Sequence, residues 1–180
     1  MIVLKSLPIE GCFLIKNFFH QDIRGSFIKV FNNDDFEKNG IKPKFKEIYY
    51  SISNKDVIRG MHFQCPPFEH EKLIYVVSGK ILDVVLDIRT KSKTYGKYIS
   101  LELSQHSNAL YIPIGCAHGF KALIDNSIVI YNQTSCYNKQ SDEGILYNSF
   151  GFDWQIDNPI VSERDKSFPP FLEFTSPFVN

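Results

Sequence analysis

Short runs of β-branched and aromatic residues, bounded by turn formers, divide much of this chain and predict strands. The clearest are Val57 to Phe63, Lys72 to Val77, Lys80 to Ile88, Tyr98 to Leu103, Ala109 to Ile112 and Ser127 to Gln133. Ser78-Gly79 joins the second run to the third as a tight hairpin, because glycine supplies the positive φ such a connection needs. Strand geometry puts Ile81, Asp83, Val85 and Asp87 on one face of the third run and Leu82, Val84, Leu86 and Ile88 on the other. A buried carboxylate costs several kcal/mol unless it is paired, so the Asp83 face is either a cavity with polar partners or a solvated surface. One short helix is predicted near Asn33 to Asn39, capped by Asn33 or Asp34 and stopped at Gly40. Many short strands with little helix predict an all-β sandwich or barrel of the jelly-roll kind.

The chain has 180 residues and no repeat or low-complexity linker, so residues 1–180 read as a single domain. A chain of this size buries roughly 70% of its unfolded surface, enough for a core and a ligand cavity. Twenty Lys and Arg balance twenty Asp and Glu. That balance argues against a nucleic-acid partner or a polybasic membrane patch and favours a small-molecule ligand. No apolar run approaches the roughly 18 residues of a membrane span, and Met1 to Glu10 lacks the regions of a signal peptide, so a cytoplasmic protein is expected. Cys12, Cys65, Cys116 and Cys136 lie far apart without a Cys-x-x-Cys pair and read as reduced packing residues. Sixteen Phe, nine Tyr and one Trp fit a β-rich core, a sugar- or base-stacking surface, or both.

Reactive side chains gather in Arg59-Gly60-Met61-His62-Phe63-Gln64, at Lys72, and in Pro113-Ile114-Gly115-Cys116-Ala117-His118. The last has the Pro-x-Gly-x-x-His spacing of the second cupin motif. Where metal-bearing cupins have His-x-His, this chain has His62-x-Gln64. That leaves His62, His118 and Glu69 or Glu71 as a weak ligand set, with Lys72 adding repulsion, so no metal is expected. A histidine flanked by Arg59 and Lys72 suits anion binding coupled to proton transfer. Tyr131 and Tyr137 are the candidate acids, although either phenol taken singly also reads as a core aromatic.

Together these residues resemble the nucleotide-sugar 3,5-epimerases typified by the 4-dehydrorhamnose epimerase of dTDP-rhamnose synthesis. The resemblance runs through Asp22-Ile23-Arg24-Gly25-Ser26-Phe27, Val57 to Gln64, Pro66-Pro67, Lys72, Asp83 to Arg89, Ser92 to Gly96, Ala117-His118-Gly119-Phe120, Tyr131, Tyr137, Trp154 and Ser162-Glu163-Arg164-Asp165. It implies a cupin jelly roll that forms a homodimer, the N-terminal strand of one subunit completing the other's site. It implies His62 as base, Asp165 as its carboxylate partner, Tyr131 as proton donor and Lys72 as the charge that stabilises an enolate. Arg59, with Arg24 from the partner subunit, falls on diphosphate and nucleotide contacts. Phe27, Lys29, Glu47, Tyr49, Gln64, Asp83, His118 and Tyr137 fall on further substrate-pocket positions. A C4 ketone acidifies the hydrogens at C3 and C5, so the implied epimerisation needs no cofactor.

The chain departs from the family pattern at the nucleotide positions. Lys29 stands where the family has Glu, Glu47 and Tyr49 stand for Gln and Asn, and His70 stands for the Gln two residues before the lysine. The departures open two alternatives to a dTDP substrate: a CDP-linked 4-keto-3,6-dideoxy sugar inverted at C5, or a GDP-linked 4-keto heptose. Outside this activity, the residues leave room for a ketoisomerase, a metal-dependent cupin oxygenase, or a sugar-binding cupin without catalysis.

Overall fold

The computed structural model describes residues 1–106 and 108–179. Its strands are β1 (Val3–Ser6), β2 (Phe13–Lys16), β3 (Phe18–Asp22), β4 (Gly25–Lys29), β5 (Glu47–Ser53), β6 (Ile58–Gln64), β7 (Lys72–Ser78), β8 (Lys80–Asp87), β9 (Tyr98–Ser104), β10 (Ala109–Ile112), β11 (Cys116–Ala122), β12 (Ser127–Gln133) and β13 (Asp142–Gly144). Two short helices, α1 (Asn33–Glu37) and α2 (Glu163–Lys166), decorate them. The six predicted strands are all present, with boundaries within one residue. α1 is capped by Asn32, not by Asn33 or Asp34: the Asn32 side chain accepts from the Asp35 amide, and the helix ends earlier than the composition suggests.

A six-stranded sheet runs β1-β2-β10-β7-β12-β5 and a five-stranded sheet runs β13-β6-β11-β8-β9, both antiparallel; β3 and β4 form a separate hairpin. The two large sheets pack face to face as an all-β jelly roll of the cupin type. Between them lie Ile74, Val76, Ile81, Val85, Leu103, Phe120 and Val129. The five-stranded sheet is also covered on its other side, where Met61, Phe63, Val84, Leu86 and Ala117 meet Phe150, Trp154 and Phe178 from the C-terminal segment. β8 and β11 are therefore buried on both faces, which explains how β8 carries apolar residues at both parities. The far side of the six-stranded sheet packs Leu73 and Tyr111 against Phe36 of α1.

Candidate active site

One end of the sandwich holds a cavity of about 410 Å³ lined from both sheets by Arg59, His62, Gln64, Lys72, His118, Tyr131 and others. His62 enters from β6 and His118 from the directly opposed position of β11. Those strands approach closely because glycines face each other: a Cβ on Gly60 would lie 2.5 Å from Gly119 Cα, and Gly60 has φ +131°.

His62 Nε2 lies 2.9 Å from Asp165 Oδ1. Asp165 is presented by α2, whose cap Ser162 accepts from the Asp165 amide, and its second oxygen accepts from the Gly60 amide at 3.0 Å. Burial opposes the Asp165 charge, but the bonds from His62 and Gly60 hold its pKa below the ordinary carboxylate value. Nε2–H of His62 is thereby committed to a carboxylate, which leaves Nδ1 to accept a proton.

Lys72 is buried and donates one hydrogen bond, at 3.2 Å, to the His62 carbonyl. Burial pulls its pKa down to about 8, against the pull of Asp142 and Asp83. An ammonium has three hydrogens, so Lys72 keeps donors for a ligand oxygen. Behind it, His118 Nε2 lies 2.8 Å from Asp83 Oδ2, and Asp83 is fully buried. Burial lowers the His118 pKa, against the pull of the Asp83 carboxyl beside it. Of the two sequence alternatives for the Asp83 face, the solvated surface is excluded: Ile81 and Val85 lie in the core, and Asp83 is buried behind the cavity lining with His118 as its polar partner.

Tyr131 reaches the cavity from β12, on the sheet opposite His62. Burial pushes its pKa well up, so the phenol stays protonated at neutral pH. Its hydroxyl lies 3.2 Å from Ser51 Oγ, and the Tyr49 ring stacks on it with centroids 4.7 Å apart. Arg59 lines the cavity and donates to Ser53 Oγ at 3.0 Å.

Gln64, Glu47 and Tyr49 line the cavity, and each also has a side-chain hydrogen bond within its own chain. Gln64 is buried with both ends of its amide used: Oε1 accepts from the Asn138 amide at 2.7 Å and Nε2 donates to the Phe68 carbonyl at 2.8 Å. Glu47 lines the cavity while accepting from the Tyr137 amide at 2.7 Å. The two side chains thus fix the backbone beneath Tyr137, whose own ring is exposed. Tyr49 lines the cavity, and its hydroxyl accepts from Gln133 Nε2 at 2.7 Å. Arg24, Phe27 and Lys29 sit on the β3–β4 hairpin, exposed and outside the lining of their own chain's cavity.

Sequence reasoning missed other lining residues. Asp142 and Arg164 form an ion pair at 2.6 Å on the cavity wall, and the Arg164 guanidinium lies 5.0 Å from the Phe168 ring centroid. Arg164 precedes Asp165 and so carried a signal; Asp142, on a three-residue strand, carried none. Ser51 and Gln133 also line the cavity, as does His70, which the sequence already placed among the nucleotide positions. Among the described residues, no group of three or more His, Cys, Asp or Glu side chains is placed to hold a metal ion.

A sequence model of dTDP-4-dehydrorhamnose 3,5-epimerase matches residues 6–173. The chain belongs to this family. It is 37% identical over 171 residues to the dTDP-4-dehydrorhamnose 3,5-epimerase of Methanothermobacter thermautotrophicus, covering 92% of each chain. The crystal structure of the Sulfolobus tokodaii dTDP-4-dehydrorhamnose 3,5-epimerase superposes with a TM-score of 0.90 at 40% identity, covering 97% of this chain and 98% of that one. The Bacillus anthracis dTDP-4-dehydrorhamnose 3,5-epimerase, solved with TDP and PPi bound, superposes at 0.91 with 31% identity, over 94% of this chain and 99% of that one. The protein is an epimerase, and the family's jelly roll is the fold described above. No helix among the described residues is long and apolar enough to cross a membrane.

Proposed function

We propose that this epimerase inverts C3, C5 or both in a nucleoside-diphosphate-linked 4-keto-6-deoxy sugar, with dTDP as the first nucleotide to test. The observation that carries the reading is a paired imidazole and a buried phenol lining one cavity from opposing sheets. Inversion removes a proton from one face of a carbon and returns one to the other, so base and acid must flank the ring.

His62 Nδ1 takes the proton α to the C4 ketone, and the C–H electron pair moves through the enolate to the ketone oxygen. Asp165 holds the imidazole in the productive tautomer and balances the imidazolium, the orienting logic of a His–Asp pair. Lys72 supplies positive charge where the enolate oxygen develops, in a site shielded from water. Tyr131 delivers its phenolic proton to the opposite face of the carbon and is restored by solvent, as His62 returns its proton. Arg59 and Arg164 are the cations available to the diphosphate.

Two copies complete the site in this reading. The hairpin residues Arg24, Phe27 and Lys29 are exposed and lie off their own cavity, and edge strand β5 presents Ile48, Tyr50 and Ile52 to solvent. Strand exchange between two subunits covers that apolar row and brings Arg24 to the partner's nucleotide. The whole chain acts as one domain, with no nucleic-acid or membrane partner and no cofactor.

Incubation in D₂O with dTDP-, CDP- and GDP-linked 4-keto-6-deoxy sugars, followed by proton NMR at C3 and C5, tests this. Deuterium entering C3 or C5 with inversion is the expected result. Silence with all three from folded dimeric protein overturns the reading in favour of a dideoxy or heptose substrate or of sugar binding without catalysis.

A further inference from the structure

The residue that departs most in shape from the family pattern is Tyr49, and its surroundings assign it a task. Tyr49 on β5 and Tyr131 on β12 are directly opposed in the antiparallel register. Cross-strand neighbours of this kind are in side-chain contact, and aromatic pairs there stabilise each other. The two rings are nearly parallel, 16° apart in plane with centroids separated by 4.7 Å. Gln133 Nε2 donates to the Tyr49 hydroxyl at 2.7 Å and anchors the outer ring. On another side of Tyr131 the His118 ring makes an edge contact at 6.3 Å, and Ser51 Oγ lies 3.2 Å from the Tyr131 hydroxyl. One face of the Tyr49 ring is thus spent on Tyr131 and its hydroxyl is spent on Gln133.

We propose that Tyr49 is a positioning residue: it holds the plane of the Tyr131 ring so that the phenol is aimed at the sugar carbon, and it does not read the nucleotide base. The proposal rests on Tyr131 being the proton donor. A phenol swings about two side-chain torsions, and a parallel ring in van der Waals contact blocks tilting toward that side. Burial raises the pKa of both phenols, in keeping with a pair that stays protonated until the carbanion forms. Misplacing a reacting group by about 1 Å costs on the order of 100-fold in rate, so loosening the ring acts on proton delivery and not on proton removal.

The test compares Tyr49→Phe, Tyr49→Asn and Tyr131→Phe in D₂O with the nucleotide sugar that the wild-type enzyme inverts. The readout is the ratio of inverted product to deuterium exchanged into the unchanged epimer, with TDP binding measured alongside. That ratio does not depend on how much enzyme is folded. Tyr49→Phe keeps the stack and is expected to hold the ratio within about twofold, whereas Tyr49→Asn lowers it about tenfold with TDP affinity unchanged within about twofold. Should Tyr49→Asn fail to accumulate, Tyr49→Leu keeps apolar volume without a ring and carries the same expectation. An unchanged ratio in Tyr49→Asn or Tyr49→Leu overturns the proposal, and weakened TDP binding then identifies a nucleotide contact. If Tyr131→Phe inverts normally, the donor assignment fails. If Tyr131→Phe loses inversion while the Tyr49 variants do not, only the role of Tyr49 fails.

Discussion

The acid–base centre and the β3–β4 hairpin differ in how much of their chemistry one chain satisfies. At the centre, Asp83 is fully buried, Asp165 is 4% exposed and Lys72 5% exposed, and each has a partner within its own chain. On the hairpin, the Arg24 side chain is 84% exposed and pairs with Asp22 two residues away, while Phe27 is 56% exposed. Groups that move protons must be held before substrate arrives, since reorganisation during the reaction costs rate. Groups that grip a diphosphate can be completed by assembly. In the proposed function the contrast separates a preorganised floor from a rim that a second copy would complete.

The largest expected effect breaks the floor. His62→Ala removes the proposed base and is expected to reduce hydrogen exchange at C3 and C5 by about 10³-fold while TDP binding stays within about tenfold. Isothermal titration beside the exchange assay checks both halves; exchange at the wild-type rate removes His62 from the mechanism.

The second concerns charge on the floor. Lys72 is protonated below its lowered pKa and neutral above it, so in the proposed mechanism the enolate loses its counter-charge as pH rises. The rate is expected to fall on the alkaline side with a midpoint near 8, where a solvated lysine would place it beyond about 10. A pH–rate profile that is flat to about pH 10 contradicts this use of Lys72.

The smallest breaks the rim. Arg24→Ala is expected to raise KM about tenfold with kcat changed less than about twofold, because the proposed diphosphate contact is common to ground and transition states. Initial-rate kinetics decide it: an equal loss in kcat alone would move Arg24 from the rim into the chemistry.

The centre was more legible than the rim, for physical reasons. His62, Lys72, His118 and Tyr131 lie on strands, whose register and period two leave few ways to point them. Asp165 is distant in sequence from His62, and only the family resemblance linked them. β11 escaped the strand pattern because Cys116-Ala117-His118-Gly119-Phe120-Lys121-Ala122 is buried on both faces and shows no alternation. β5 escaped it because its apolar parity, Ile48, Tyr50 and Ile52, points outward and its polar parity lines the cavity. Gln64 and Glu47 read as substrate contacts from motif position and line the cavity; their bonds to the backbone of Cys136 to Asn138 were not legible, because that loop carries no periodicity. Asp142 owes its place to the pairing of β13 with β6, a long-range contact without a local signature.

Two proton transfers from opposite sheets can be separated with one variant, Tyr131→Phe, given the active nucleotide sugar in D₂O and followed by NMR at C3 and C5. If His62 removes the proton and Tyr131 returns it, deuterium enters the sugar without inversion, and inverted product falls by about 100-fold. Inversion at the wild-type rate would show that another group delivers the proton, with Tyr137 next in line, and would contradict the two-sheet mechanism.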